Sequence, residues 1–154
     1  MQQSFSHLFE DMPASSRVWT YLCNRILNPI ETEALQSEID GFTSSWKAHQ
    51  KPLSAQGGIL FNRYIILVVD ESRQAISGCS IDSSVHFVKM IESKLGVDFF
   101  NRLNVLVSEG DQQKIVSYHD LELLKGAFVF NPRVGSLKEL RESWLLEIKE
   151  APFF

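Results

Sequence analysis

Cysteine is scarce: Cys23 and Cys79 are the two in 154 residues, too few for a disulfide scaffold and in keeping with a reduced, cytoplasmic chain. No apolar run approaches the roughly 20 residues that span a bilayer. Residues 1–13 carry Glu10 and Asp11 without a basic stretch, so neither a membrane helix nor a secretory signal is expected. Positive charge is not in excess, since fifteen Lys and Arg stand against nineteen Asp and Glu for a net charge of −4. The cations are scattered from Arg17 to Lys149, which argues against a nucleic-acid or anionic-membrane partner. Internal repeats, low-complexity tracts and Pro/Gly/Ser linkers are absent too. What is present, 44% hydrophobic and 22% charged residues, is the balance of one globular domain over residues 1–154.

Residues 17–24 alternate as a strand with two apolar faces, Trp19, Tyr21 and Cys23 against Val18, Thr20 and Leu22. A helix follows, with Asn28 as N-cap, Pro29 at the first position and Glu31 completing a capping box. Leu35, Ile39, Phe42 and Trp46 recur on one stripe of it, and His49 extends the stripe by a turn before Pro52 ends it. Residues 55–61 and 63–70 read as two strands reversing near Asn62. The run 64–69 (YIILVV) is continuously apolar, as in a strand covered on both faces. A second helix is expected over 83–95, N-capped by Asp82 or Ser83, with Val85, Val88, Ile91 and Leu95 inward and Gly96 in the left-handed cap.

Residues 103–107 and 114–118 form a hairpin, 119–125 a short helix and 127–130 a short strand. A last helix starts at Ser136, with Glu139 as its capping-box partner, and buries Leu137, Leu140, Trp144 and Ile148. The order β-α-β-β-α-β-β implies the α+β class. It predicts a two-layer sandwich of ferredoxin-like type, a split β-α-β with an extra hairpin and a C-terminal helix; a three-layer α/β arrangement is the alternative. Residues 1–16 are expected to be a loosely packed lead-in. Residues 150–154 form an apolar tail whose Phe153 and Phe154 would each contribute roughly 1.5–3 kcal/mol if buried. A tail that folds back or inserts into a neighbour makes a homodimer the expected assembly.

Four segments carry a likeness: WKAHQKPL (46–53), FNRYIILVVDE (61–71), SGCSIDSSVHF (77–87) and GVDFFNRLNV (96–105). They resemble an uncharacterised bacterial family whose members often bear the label "ABC transporter ATPase". The resemblance covers roughly residues 10–145 and implies no activity, cofactor or catalytic residue. The label would require a G-x-x-x-x-G-K-[ST] loop to cradle phosphates. Gly57-Gly58 is instead followed by Ile-Leu-Phe-Asn, and no glycine precedes a Lys-Ser or Lys-Thr pair, so that activity is rejected.

The sharpest local feature is the segment from Gly78 to His86. Cys79 is expected in the loop before the second helix, where free amides and the helix dipole lower the pKa of a nearby thiol. Asp82 and His86, four residues apart, share a helix side. Thiol, imidazole and carboxylate together are the layout of a cysteine nucleophile, which makes Cys79, His86 and Asp82 the catalytic candidates. His49 from the end of the first helix and Arg63 as an oxyanion clamp join Ser80 and Ser83 as candidate ligand-binding residues.

Each has a plainer reading. A cysteine is often core filling, Asp82 a helix cap, His49 and His86 packing residues, and Arg63 and Asp70, at strand ends, partners in a structural ion pair or in loop hydrogen bonds. A metal held by Cys79, Asp82, His86 and His49 lacks the paired ligand spacing of structural zinc, and no metal or other cofactor is expected. Two functions follow. The first is a non-enzymatic cytoplasmic domain that binds a small anionic ligand or a protein partner. The alternative is a thiol-dependent acyl-transfer or hydrolytic enzyme using Cys79 as nucleophile and His86 as base.

Overall fold

The computed structural model describes residues 5–151. Strand β1 (Arg17–Leu22) leads into helix α1 (Pro29–Ser45), which opens with the expected capping box. The Glu31 amide donates to Asn28 Oδ1 at 2.8 Å, and the Asn28 amide donates to Glu31 Oε1 at 3.0 Å. Two short strands follow, β2 (Lys47–Ala48) and β3 (Lys51–Pro52), then β4 (Ser54–Leu60) and β5 (Tyr64–Asp70). Helix α2 (Gly78–Leu95) precedes β6 (Asn104–Glu109), β7 (Gln112–Ser117) and a 3-10 turn at Tyr118–Leu124. The described chain closes with β8 (Phe128–Phe130), α3 (Leu137–Glu142), β9 (Leu145–Glu147) and a 3-10 turn at Ile148–Glu150. Among the described residues this is an α+β protein of three helices and three antiparallel sheets.

The first sheet has the order β1-β5-β4, with β5 antiparallel to both neighbours, so β1 and β4 run parallel on either side of it. Ile65, Leu67 and Val69 join a core with Leu35 and Ile39 of α1 and Phe87, Val88 and Ile91 of α2. Tyr64, Ile66 and Val68 join another with Phe5, Leu106, Phe130, Leu140 and Trp144. Both faces of β5 are covered, which explains an apolar run without alternation.

Helix α1 comes down so closely on β4 that a Cβ at Gly57 would stand 2.6 Å from Ile39 Cγ2. The Gln36 carboxamide meets β4 beside it, Nε2 donating to the Gly57 carbonyl at 3.2 Å and Oε1 accepting from the Ile59 amide at 3.3 Å.

The second sheet has the order β7-β6-β8-β9. It shares a third core of Val105, Val107, Leu121, Val129 and Ile148. A ferredoxin-like arrangement is not shown. That fold would pair β6 with β1, yet β6 pairs with β7 and β8. The outer edge of β1 is taken by residues near α3, the Val18 amide donating to the Gly135 carbonyl at 3.1 Å and Arg17 bridging Ser136. The physical cause lies in β6, which sends Leu106 to the second core and Val105 and Val107 to the third.

Several local expectations are corrected. The final helix stops at Glu142, and Trp144 and Ile148, 1% and 0% exposed, are buried from the segment beyond it. Helix α1 ends at Ser45, so His49 lies in a turn and not on the helix stripe. From Phe5 onward the lead-in is tied down: Phe5 and Met12 are buried, and the Arg141 guanidinium donates to the carbonyls of Leu8, Phe9 and Met12 at 3.0, 2.7 and 3.1 Å. Gly96 does take the left-handed cap, at φ 65°, with the Val97 amide returning to the Glu92 carbonyl at 3.2 Å. Phe153 and Phe154 lie outside the described residues. Among the described residues no helix is long and apolar enough to cross a membrane.

Candidate functional site

Strands β2 and β3 form a two-residue hairpin whose tip, His49-Gln50, has φ values of 51° and 65°. Turns with two positive φ values are normally built from Asn-Gly or Gly-Gly, because a Cβ crowds the backbone there. A non-glycine residue in that region costs on the order of 1 kcal/mol or more. Phe61 and Asn62 between β4 and β5 share the geometry, both at φ 56°. There the ring of Phe61 packs on Phe130 and Trp144 at 5.1 and 5.8 Å, and the Asn62 carbonyl accepts from the Leu27 amide at 2.8 Å. His49 and Gln50 are exposed, and their side chains make no hydrogen bond among the described residues.

The hairpin is fastened to the start of α2 through Ser80. Its hydroxyl donates to the Lys47 carbonyl at 2.7 Å, while its carbonyl accepts from the Trp46 indole at 2.9 Å. Ser77 and Ser80 form the capping box, the Ser80 amide donating to Ser77 Oγ at 3.1 Å. The helix therefore begins five residues earlier than the sequence pattern implied, and the cap is Ser77, not Asp82 or Ser83. Cys79 sits inside the first turn instead of in the preceding loop. The amides of Gly78 and Cys79 precede the first intrahelical bonds, and no acidic residue lies in this turn.

These pieces enclose a cavity of about 530 Å³ lined by Lys47, His49, Gln50, Ser77, Cys79 and Ser83, with Gly78 completing it. No carboxylate is among its lining residues. A cation, a helix N-terminus and unsaturated amides together favour an anionic group. The same walls hold an exposed thiol and an imidazole, the two parts that thiol chemistry needs.

The structure thus brings Cys79, His49 and Ser83 to one cavity and leaves the other candidates elsewhere. His86 is exposed on α2 seven residues beyond Cys79, a rise of about 10 Å along the axis. Asp82 is exposed and does not line the cavity. Ser80 is 1% exposed and serves as the fastening just described. Ser83 donates its hydroxyl to the Cys79 carbonyl at 3.0 Å.

Arg63 precedes β5 and Asp70 closes it, and neither forms an ion pair among the described residues; the other option, loop hydrogen bonds, is what both make. Asp70 instead accepts from the Ser72 amide at 2.9 Å, and the hydrogen bonds from Ser72 hold its carboxyl below the ordinary value. Cys23 is buried, and burial pushes its thiol pKa up. Among the described residues no group of three or more His, Cys, Asp or Glu is placed to hold a metal.

Lys47 and Gln50 were missed in the sequence. The signal available was the short polar stretch from Lys47 to Lys51, which breaks the helical stripe before Pro52 does. Comparison with family models, with curated proteins and with solved structures finds no match to this chain.

Proposed function

We propose that the chain is a non-enzymatic binding domain that receives a small anionic ligand in the cavity at the start of α2. One observation carries the reading: the free helix amides of Gly78 and Cys79, with Lys47 and His49, border a single cavity that no carboxylate lines. The unengaged, strained tip at His49 and Gln50 supports it, since backbone strain without local compensation is a recurrent mark of functional sites. Titration with inorganic phosphate, followed through backbone amide resonances, tests it. Saturable shifts at Gly78 and Cys79, weakened in Lys47→Ala, are expected. A flat response at both amides overturns the proposal.

A second reading, thiol-dependent acyl transfer or hydrolysis, is favoured by the exposure of Cys79 beside His49 in the same cavity. In it His49, and not His86, accepts the thiol proton; the resulting thiolate attacks the acyl carbon, the bond from that carbon to the leaving group breaks, and His49 returns the proton to the departing group, leaving a thioester on Cys79 for water or an acceptor to cleave. The rate of Cys79 alkylation against pH decides. An inflection below the ordinary thiol value of about 8.5, moving upward in His49→Ala, supports this reading. An ordinary inflection indifferent to His49 removes it.

The rest of the proposal concerns setting and assembly. It places the chain in the reducing cytoplasm, as a member of the uncharacterised bacterial family that its four segments resemble. It assigns a ferredoxin-like order to the portion from β1 to α2, supported by the parallel β1 and β4 flanking β5. It includes a homodimer held by the apolar tail. Light scattering on the intact chain and on a chain ending at Glu150 tests that assembly, and two monomers would count against it.

A further inference from the structure

Arg63 lies at the far end of the β4–β5 hairpin from the cavity, about 20 Å away for strands of seven residues. Its backbone is fixed on three sides. The Arg63 carbonyl accepts from the Cys23 amide at 2.7 Å, its amide donates to the Leu60 carbonyl at 3.1 Å, and the Asn62 carbonyl beside it accepts from the Leu27 amide. Its side chain is not satisfied in the same way. The residue is 6% exposed, yet its guanidinium makes one long hydrogen bond, from Nε to the Phe61 carbonyl at 3.5 Å. No carboxylate lies within ion-pair distance of it among the described residues.

Two other arginines show what engagement looks like. Arg141 donates to three carbonyls, and Arg25 grips Glu31 with both terminal nitrogens at 2.9 and 2.7 Å. Both terminal nitrogens of Arg63 are unused, and neither is among the sealed, partnerless atoms, which are Ser16 Oγ and Trp144 Nε1. The fork is occluded by protein along its length and open at its tip.

We infer that Arg63 is the anion-receiving centre of a second site, at the β4–β5 turn, which takes one oxyanion group of a bound molecule, a carboxylate or a phosphate. The chemistry follows from the side chain. A guanidinium does not discharge in a protein, so its charge remains when water is removed. Burial pulls its pKa downward, Tyr64 and Cys23 oppose that only in part, and no carboxylate pairs with it among the described residues. Two parallel N–H donors in a plane match two oxygens of one oxyanion, which fixes the ligand's orientation as well as its charge.

The test is an amide-resonance titration of the full chain with inorganic phosphate in one arm and acetate in the other, at constant ionic strength. Saturable shifts at Asn62, Arg63 and Tyr64 are expected in at least one arm. The arm that responds more strongly identifies the oxyanion. Affinity should fall tenfold or more in Arg63→Lys, which keeps the charge and loses the fork, and the response should vanish in Arg63→Met. Absence of a saturable response in both arms of the wild-type protein overturns the inference, whether or not Arg63→Met folds. An equal affinity in Arg63→Lys also overturns it, because a fork would then be unnecessary. Gly78 and Cys79 report on the other cavity in the same spectra, so failure of one site is read separately from failure of the other.

Discussion

Helices α1 and α2 both start with a reciprocal capping box, and the residue at its third position sets them apart. In α1 that residue is Glu31, which places a carboxylate on the Asn28 amide and is itself held by Arg25 through two hydrogen bonds. In α2 it is Ser80, whose hydroxyl accepts from the Ser77 amide without bringing charge. The positive end of α1 is neutralised, while that of α2 keeps its field and gains Lys47 and an open cavity. The same local geometry closes one helix end and leaves the other available. The chemistry of a single side chain makes the difference.

Substitutions can break this contrast. The largest effect is expected for Ser80→Ala, which leaves the Lys47 carbonyl and the Ser77 amide without their partner and should cost about 2 kcal/mol in urea unfolding. The corresponding change in α1, Asn28→Ala, should cost about 1 kcal/mol. Equal losses would mean that Ser80 is a cap and no more. Gln50→Gly relieves a positive φ at the rim of the α2 cavity and should raise stability by about 1 kcal/mol in the same assay. Cys79→Asp gives α2 the acidic first turn that α1 has. A gain of about 0.5 kcal/mol is expected, together with loss of the phosphate response at the Gly78 amide.

The smallest effect is electrostatic and belongs to α1. Arg25, and then the Asn28 amide, lower the Glu31 pKa to about 2, below its value in an unfolded chain. The contribution is therefore complete above about pH 4.5, the ordinary glutamate value, and is lost as pH falls toward 2. Stability measured across that interval should decline less in Glu31→Gln than in the wild type.

The sequence was most legible where local chemistry decides. Asn28-Pro29 with Glu31, the YIILVV run and Gly96 each dictate their conformation within a few residues, and each is found as expected. It was least legible where a distant partner decides. The first turn of α2 carries Gly78, Cys79 and two serines and lacks an apolar stripe; it is helical because Ser80 is held by Lys47 and Trp46, more than thirty residues away. His49 has the right spacing for the stripe of α1 but follows the helix end into a hairpin lacking the usual glycine.

Trp144 and Ile148 also keep helical spacing. They reach the core from a strand margin and a 3-10 turn, because the chain leaves the helix at Ser143. Of the candidate site residues, Cys79, His49 and Ser83 line one cavity. His86 and Arg63 lie away from it, His86 farther along α2 and Arg63 at the opposite end of the β4–β5 hairpin.

Gln36 has a consequence for assembly. A side-chain amide that accepts from one main-chain group and donates to another two residues away imitates a neighbouring peptide unit. A second molecule approaching β4 from that side finds these groups already occupied and Ile39 pressed against Gly57 behind them. Sheet extension along that margin, the usual route to fibrillar stacking, is opposed at Gly57 and Ile59 by one glutamine.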